Sequence, residues 1–286
     1  MYKGKKFILF ISFLVILLIL GISLIKFQEK PLKIIMLNIG QGDAIYIETP
    51  NGNNMLIDAG RDRTVMHELG DVMPINKKTI DFIEVSNPDL DHIGGFPFVM
   101  EKYKVREILS PGTKHDSLDS YKAIEKIAKE DKIPVIRPKT GDIIMIDNKS
   151  AITYKILWPE GNVSNWEVNA GSMVGLLEYS GHKILFTGDA PKEVEDQIIL
   201  KYGASLKDID ILKVGHHGSK TSTGEALTMI ARPKYSIISA GLNNRYGHPH
   251  EETLDMLNLV HSKILITAND GRIVCKVWIK KETVCI

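Results

Sequence analysis

The densest group of chemically capable side chains is Asp89, Asp91 and His92, which directly follow an apolar stretch over residues 81–85. Two carboxylates and an imidazole this close together can hold a divalent cation. Carboxylate oxygen combined with imidazole nitrogen favours Zn²⁺, Mn²⁺ or Fe²⁺ over Ca²⁺. Taken alone, the same segment is equally consistent with an acidic turn that caps a following helix.

Three further apolar segments end with Asp or His beside Gly. Their end residues are Asp58, Asp189 and the pair His216 and His217. Core packing does not require such a pattern at four segment ends. We therefore expect these ends to converge on one edge of the fold and to share a metal ion.

Short strands and helices must position these residues. Strand patterns occur at residues 32–37, 44–48, 54–58, 82–86, 105–109, 151–157, 174–179, 183–187, 209–214 and 235–239. Helical patterns occur at about 120–131, 191–202, 222–231 and 250–261. Hairpins dominate the first third, where no helical pattern separates the strands, and strand–helix alternation dominates the last third. We expect an α/β fold in which two mixed sheets pack together and helices cover their outer faces.

Ordered motifs over residues 32–275 resemble the metallo-β-lactamase superfamily, and within it the hydrolase domain of the ComEC competence proteins. The motifs lie at residues 37–44, 56–60, 89–95, 169–172, 186–189, 214–219 and 246–249. The resemblance implies a four-layer αββα sandwich over residues 31–286, with a metal site at one edge.

The resemblance also implies roles for individual residues. One metal position would be formed by Asp91, His92, Asp189 and His216, while Asp189 would bridge to a second position that contains Asp89. Asp58 would orient ligands without binding the metal. His217 and His248 would face the cleft, to position substrate or act as a general acid, so the predicted catalytic residues are Asp91, His217 and His248.

Asn87 departs from the resemblance, because relatives usually have His at this position. Asn is a weak, neutral ligand. The middle histidine of the wider superfamily is also missing, and the segment around Asn169 and Ser172 takes its place. We therefore expect one tightly bound Zn²⁺ or Mn²⁺ ion, with the other position empty or loosely held.

The N-terminus has the composition of a membrane anchor. Residues 7–25 carry no charge and are nearly all Phe, Ile, Leu or Val, a length that spans a bilayer as a helix. Lys3, Lys5 and Lys6 predict that the N-terminus lies in the cytoplasm and the domain outside. We expect an anchor over residues 1–28. A signal peptide cleaved near Gly21 and Ser23 is the alternative.

Both cysteines, Cys275 and Cys285, lie near the C-terminus. The stretches 272–279 and 282–286 alternate like the two strands of a hairpin, which would bring the cysteines together. A disulfide and a pair of reduced, buried thiols both fit this arrangement.

The charge of the chain is nearly balanced, with 36 Lys and Arg against 35 Asp and Glu. The three N-terminal lysines belong to the topology signal, so the remainder is slightly acidic. The net charge therefore does not exclude a phosphodiester substrate, but it predicts only modest affinity for a polyanion. A local phosphate-binding rim is still possible near the motifs, and its candidates are Lys213, Lys220, Arg232 and Arg245. Tyr246 could stack on a base or pack internally.

These observations favour a membrane-anchored, metal-dependent hydrolase that acts on a phosphodiester, with nucleic acid as the expected substrate. A bound metal would polarise a phosphoryl oxygen and activate water. A hydrolase of another ester or lactam is the first alternative. A non-catalytic binding module that retains the fold is the second, and Asn87 is the residue that supports it.

Overall fold

The N-terminal apolar run forms one helix, α1 (Tyr2–Lys26), in the computed structural model. The structure describes residues 2–26 and 29–286, and within α1 it describes the side chains of residues 4–7 and 9–18. Apolar side chains such as Phe7, Leu9 and Leu18 are exposed along α1. Within the described residues, no helix meets both the length and the apolarity needed to cross a bilayer.

The anchor over residues 1–28 therefore stays a prediction. Residues 1, 27 and 28 of that range, and the side chain of Ser23 beside Gly21 at the alternative cleavage site, lie outside the described part of the chain. Residues Met1–Lys30 form one unit and Pro31–Ile286 form a second. All chemistry predicted from the sequence lies in the second unit.

Two mixed sheets form the centre of the second unit. In spatial order, the first contains β15 (Val284–Cys285), β14 (Ile273–Val277), β1 (Leu32–Met36), β2 (Ile45–Glu48), β3 (Asn54–Ile57), β4 (Thr79–Glu84), β5 (Lys104–Leu109) and β6 (Val135–Ile136). The second contains β13 (Lys263–Ile266), β12 (Tyr235–Ile238), β11 (Ile211–Lys213), β10 (His182–Phe186), β9 (Val174–Tyr179), β8 (Ile152–Trp158) and β7 (Ile143–Asp147). Each sheet is antiparallel on one side and parallel on the other. The parallel strands are β3 to β6 in the first sheet and β10 to β13 in the second.

Helices cover the outer faces of both sheets. The first sheet carries α2 (Thr64–Val72), α4 (Phe96–Lys102) and α5 (Asp119–Glu130), and the second carries α6 (Lys192–Tyr202), α7 (Glu225–Ala231) and α8 (Glu251–Leu259). Two short helices, α3 (Leu90–Ile93) and α9 (Thr267–Asp270), complete the set that the structure describes.

Because side chains alternate between the two faces of each strand, the apolar core is divided into three layers. On β1, Ile34 points into the layer between the two sheets, and Ile35 points into the layer beneath the outer helices. A third apolar layer lies between the second sheet and its helices. Since strand side chains alternate between faces, a strand covered on both sides must be apolar throughout. The expected αββα sandwich of two mixed sheets is confirmed.

The expectation that no helix separates the early strands is wrong. Helix α2 lies between β3 and β4, and α3 and α4 lie between β4 and β5. All three are short, and Pro97 stands in the first turn of α4. Segments of this length show too few helical repeats to be recognised, and packing against the sheet stabilises them instead. The four predicted helices are present, with ends that coincide or differ by at most three residues.

The C-terminal hairpin forms as predicted, with Cys275 opposite Cys285 on β14 and β15. The two residues form a disulfide, which decides between the two alternatives left open by the sequence. The bridge closes the edge of the first sheet, where β14 pairs with β1.

A polar contact between Tyr154 and Glu84 lies within the apolar layer between the sheets. The Tyr154 hydroxyl on β8 donates to Oε1 of Glu84 on β4, at 3.0 Å, and both residues are fully buried. Burial raises the pKa of Glu84 well above its usual range. Tyr154 lies over Gly175 of the neighbouring strand, where an added Cβ would be 2.0 Å from the ring. Because Gly175 has no side chain, it leaves room for the Tyr154 ring between the two sheets.

We expect Gly175→Ala to reduce the free energy of unfolding by about 1–3 kcal/mol, because the added methyl overpacks the layer between the sheets. Gly70→Ala is the matched control, since Gly70 is exposed in α2 and an added Cβ meets nothing within 4 Å. The control should gain about 0.5–1 kcal/mol in urea titrations. Equal effects of the two substitutions would contradict the role given to Gly175.

Candidate metal centre

The ends of the parallel strands bring the predicted polar residues to one edge of the sandwich. Strand β4 leads to α3, which carries Asp91 and His92, and β10 leads to Asp189. Strand β11 leads to the short helical turn Gly215–Gly218, which contains His216 and His217. The carboxyl ends of parallel strands are the usual position of functional sites in α/β sheets. The predicted convergence is therefore observed in the fold.

Asp189 is the centre of the cluster. Its Oδ2 lies 3.1 Å from Nε2 of His92, 3.7 Å from Nε2 of His216 and 3.8 Å from Nε2 of His217. Donor atoms that share one Zn²⁺ at its usual bond lengths are about 3.3 Å apart. Three imidazole nitrogens thus surround one carboxylate oxygen at a spacing that suits coordination.

His92 is oriented by the residues behind it. Its Nδ1 lies 2.8 Å from Oδ2 of Asp58, and the same carboxylate accepts hydrogen bonds from the backbone N–H and hydroxyl of Ser86. An Nδ1–H that donates to Asp58 leaves Nε2 free to bind a metal, the arrangement commonly found behind ligating histidines. The role expected for Asp58, which orients a ligand, matches this contact.

His217 is also held from behind. Its Nδ1 lies 3.0 Å from the Ser239 carbonyl and 3.3 Å from Oδ1 of Asp43, while Nε2 faces Oδ2 of Asp91 at 3.4 Å. The backbone of both His216 and His217 is left-handed, with φ of 48° and 56°. Such strain in residues other than Gly is typical of functional positions.

His216 and His217 differ in exposure, and this changes the division of roles expected from the resemblance. His217 was expected to face the cleft, but it is 1% exposed and lies inside the cluster. The side chain of His216 is 27% exposed and approaches Asp189 from the open side. We therefore place His217 among the candidate metal ligands. The ligand role predicted for His216 remains a prediction.

Asp43 and Lys213 form a buried ion pair beneath the cluster. Lys213 Nζ lies 2.5 Å from Oδ2 of Asp43, and both residues are 1% exposed. The expected place of Lys213 in a surface rim is therefore wrong, because the end of β11 turns this side chain into the interior. A buried ammonium needs a carboxylate partner, and Asp43 provides it.

The charges within the cluster explain its pKa shifts. Burial opposes ionisation of Asp189, but His92, His217 and His216 outweigh it and hold its pKa well below the usual range. Burial also opposes charge on the two inner imidazoles. The pKa of His92 is nevertheless raised well above its usual range by Asp189 and Asp58, and that of His217 is raised to about 10 by Asp43 and Asp189.

The donor set fits a divalent cation. Ligand atoms of Asp43, His92, Asp189 and His217 all lie within 4.8 Å of one another. Three buried polar atoms in this cluster lack a hydrogen-bond partner, namely Asp43 Oδ1, Asp189 Oδ1 and His217 Nε2. Unpaired buried polar atoms are costly. A bound cation would pair with Asp189 Oδ1 and His217 Nε2, whereas Asp43 Oδ1 faces the Nδ1 side of His217. Nitrogen and carboxylate oxygen together suit Zn²⁺, Mn²⁺ or Fe²⁺.

Asp91 and Asp89 lie beside this set. Asp91 faces His217, and although burial opposes its ionisation, the contact with His217 and the charge of His92 lower its pKa. Burial raises the pKa of Asp89, which is partly exposed. The structure thus brings Asp89, Asp91, His92, Asp189 and His216 to one site, and their individual ligand roles remain predictions.

A histidine and tyrosine rim borders the open side. The ring of His248 lies 5.6 Å from those of His216 and Tyr246, and the guanidinium of Arg245 lies 4.8 Å from the Tyr246 ring. Burial and the neighbouring histidines lower the pKa of His248 to about 4. Of the other rim candidates, Lys220 is exposed beside His250, whereas Arg232 precedes β12 and therefore lies at the opposite edge.

Sequence reasoning missed Asp43 and one further histidine, His115, at this site, and it placed Lys213 in a surface rim instead of the interior. Asp43 lies within a recognised motif and carries the same signal as the other acids, a carboxylate beside Gly near a strand. The sequence signal for Lys213 is that it is a single charged residue at the end of an apolar strand. His115 lies in an irregular loop, where periodicity and spacing give no signal.

Comparison with known proteins gives matches over most of the chain. The family profile described as the metallo-beta-lactamase superfamily matches residues 37–241. The chain is 32% identical to ComE operon protein 3 of Bacillus subtilis (strain 168) over 83% of its own length and 32% of that protein. It is 30% identical to Recombination protein 2 of Haemophilus influenzae, over 92% of its own length and 31% of that protein. The chain thus spans about a third of the length of these curated relatives.

Solved structures show the same fold. Igni18, a metallo hydrolase from Ignicoccus hospitalis, superposes with a TM-score of 0.53 at 14% identity, covering 89% of this chain and 98% of that one. At this low sequence identity, the match supports only the shared fold. The resemblance seen in the sequence motifs, including the ComEC-like relatives, is confirmed by the profile and the curated matches.

We expect the affinity for Zn²⁺ to increase from pH 6 to pH 9. An imidazole must be neutral to bind a metal, and His92 and His217 hold their protons to raised pKa values. Each proton that must leave steepens the dependence by up to about tenfold per pH unit. Calorimetry in buffers of different ionisation enthalpy should show proton release. Binding that is independent of pH and releases no protons would contradict this electrostatic description.

Proposed function

The chain belongs to the metallo-beta-lactamase superfamily, and we propose that it is a metal-dependent phosphodiesterase that acts on nucleic acid. The observation that carries this proposal is the cluster of Asp43, His92, Asp189 and His217, with its three unpaired donor atoms, beside an open rim. A metal-dependent hydrolytic centre needs ligands for a cation and access for substrate, and the arrangement has both.

The cation would be held by His92, Asp189 and His217, with Asp91 beside them. When bound, it would polarise a phosphoryl oxygen and lower the pKa of water. Asp58 and Ser239 keep the two imidazoles aligned through their Nδ1 atoms. Zn²⁺ and Mn²⁺ are the proposed metals, with one ion bound more tightly than any second.

His248 borders the centre as a neutral imidazole at pH 7, because its pKa is lowered to about 4. A neutral ring offers one N–H donor and one acceptor. We propose that it positions the substrate through such hydrogen bonds. The alternative expected from the sequence, a general acid, would require an anionic substrate to raise this pKa first.

The loop of residues 241–248 supports a nucleic-acid substrate. Asn244 holds this loop, since its Oδ1 accepts from the backbone N–H groups of Tyr246 and His248 and its Nδ2 donates to two carbonyls. Tyr246 is 44% exposed and Arg245 is exposed beside it. Tyrosine rings and guanidinium planes stack on unpaired bases, which favours single-stranded nucleic acid. The name Recombination protein 2 of one relative agrees with DNA.

We further propose that the domain lies outside the cytoplasm, held by the N-terminal helix. The apolar run of residues 7–25, with lysines before it, supports an anchor. The disulfide between Cys275 and Cys285 supports an oxidising compartment, since such bonds are rare in the cytosol. Release after cleavage of a signal peptide remains the alternative.

The full chain, purified in detergent and supplied with Mn²⁺ or Zn²⁺, should cleave single-stranded DNA and bis-p-nitrophenyl phosphate. Asp189→Asn should lower both activities at least about 100-fold, because the carboxylate at the centre of the cluster loses its charge. Metal content is measured on the same preparations. His261→Gln, at an exposed histidine beyond α8, is the control and should retain both activities.

Full activity of Asp189→Asn would overturn the assignment of the centre. A metal-loaded chain that cleaves neither substrate would overturn the phosphodiesterase proposal, and cleavage of a lactam or carboxylic ester instead would identify a different hydrolase.

Tyr246→Ala should raise KM for single-stranded DNA by about fivefold or more, with kcat little changed, because a stacked base loses about 1–3 kcal/mol. KM for bis-p-nitrophenyl phosphate, which has no base, should stay the same. Tyr246→Phe retains the ring and should behave like the wild type. Equal changes in KM for both substrates would show that Tyr246 supports the loop and does not stack on a base.

A further inference from the structure

A cleft with a volume of about 460 Å³ lies at the same edge of the sandwich as the metal centre. Residues from three chain segments line it, 111–114 after β5, 137–139 after β6 and 161–164 after β8. Strands β5 and β6 are parallel to β4, whose end leads to Asp91 and His92. The ends of the three strands therefore share one edge, and the cleft continues the edge that carries the predicted ligands.

The cleft is positively charged. Its lining includes Lys114, Arg137 and Lys139, which are all exposed. Asn162 and Ser164 add polar side chains, and no Asp or Glu among the described residues lines it. None of the three cations forms an ion pair with a carboxylate that the structure describes. Because the whole chain is nearly neutral, three unpaired cations around one cleft are a local concentration of charge that an anionic ligand can use.

The loops that carry the cations are held in a fixed arrangement. The backbone N–H of Ser110 donates to the Ile136 carbonyl at 3.0 Å, which keeps the segments after β5 and β6 side by side. Gly112 has a φ of 93°, and a Cβ added to it would lie 3.3 Å from Cδ of Arg137. The aliphatic part of Arg137 thus packs over a bare stretch of backbone, which directs the guanidinium along the wall of the cleft.

The wall contributed by the second sheet carries an exposed aromatic side chain. Trp166 follows Ser164 by two residues and is 40% exposed. Its ring lies 5.6 Å from the ring of Trp158, whose Nε1 donates to the Ala170 carbonyl at 2.8 Å. An exposed indole beside a fixed ring offers a surface on which an unpaired base can stack.

Packed loops connect the cleft to the metal centre. Lys114 is flanked by Thr113, which packs against Gly171, and by His115, whose Nδ1 lies 3.1 Å from Oδ1 of Asp89. The loop that lines the cleft is thus in direct contact with the loop that carries the predicted ligands. A nucleic-acid strand with one phosphate at the centre can therefore extend into the cleft.

We propose that this cleft binds the backbone phosphates of single-stranded nucleic acid through Lys114, Arg137 and Lys139, while a base stacks on Trp166. Guanidinium and ammonium groups form charge-assisted hydrogen bonds with phosphate oxygens. The inference rests on the proposed function, and it deepens that function by naming where the substrate binds beyond the phosphodiester that is cleaved. Three local cations also allow a nearly neutral chain to bind a polyanion with modest affinity.

The test is the binding of fluorescein-labelled oligothymidylate to the full chain in detergent, followed by fluorescence anisotropy at several salt concentrations. EDTA is present so that no cleavage occurs. A variant that combines Lys114→Gln, Arg137→Gln and Lys139→Gln should bind at least about tenfold more weakly. The slope of log affinity against log salt should fall by about two, since each lost phosphate contact with a single strand lowers it by about 0.7.

The matched control combines Lys78→Gln, Lys104→Gln and Lys132→Gln. These exposed lysines lie at or just before the starts of β4, β5 and β6, and therefore at the opposite edge of the same sheet. The control has the same change in net charge and should keep the affinity and salt slope of the wild type. Trp166→Ala should weaken binding about fivefold or more, whereas Trp166→Phe retains a ring and should bind like the wild type.

Thermal unfolding followed by circular dichroism shows whether each variant is folded, and the single substitutions replace a triple variant that is not. Equal weakening by the two triple variants, or unchanged affinity of the cleft variant, would overturn the cleft as a binding site. Unchanged affinity of Trp166→Ala would remove the stacking surface from it. A wild type that hydrolyses bis-p-nitrophenyl phosphate with Mn²⁺ but binds no oligothymidylate would instead overturn nucleic acid as the substrate, so the two failures are distinguishable.

Discussion

The structure depends on a carboxylate, Asp189, that is buried at the end of a parallel strand and must be surrounded by positive charge. Burial alone would keep such a group protonated. Three imidazoles converge on its Oδ2 instead, and they hold its pKa well below the usual range. In this geometry the Nε2 atoms of the three histidines all lie near Asp189 Oδ2. The requirement to pair a buried charge and the requirement to bind a cation thus select the same arrangement of side chains.

Every part of the sandwich near this edge supports that arrangement. Asp58, at the end of β3, and Asp43, between β1 and β2, bring acids from the first sheet toward His92 and His217. Lys213, from the second sheet, pairs with Asp43 across the interface. The two sheets are therefore joined by charged contacts beneath the centre and by the Tyr154–Glu84 hydrogen bond farther inside. Because both sheets contribute charged and hydrogen-bonding partners, the geometry of the centre depends on the whole domain.

Asn87 has a structural role at a position where the resemblance implies a histidine. The residue still organises the loop after β4, because its amide satisfies Asp89, Asn169 and Ser172. A neutral, hydrogen-bonding side chain at this position removes a ligand but leaves Asp89 well placed. His115, from another loop, contacts the Asp89 carboxylate.

The sequence by itself determined the fold class, the convergence of strand ends and most of the acids and histidines involved. The alternation of side chains along strands and the polar residues at the ends of apolar segments are local patterns. The last residue of a strand must lie at the edge of the sheet where the strand ends. Only the tertiary structure decided which of the neighbouring His216 and His217 is enclosed, because a left-handed turn sets their directions. It also decided that Lys213 is buried against Asp43, that the cysteines are joined and that His115 meets Asp89. Pairings between segments far apart in the chain follow from packing, and no local pattern encodes them.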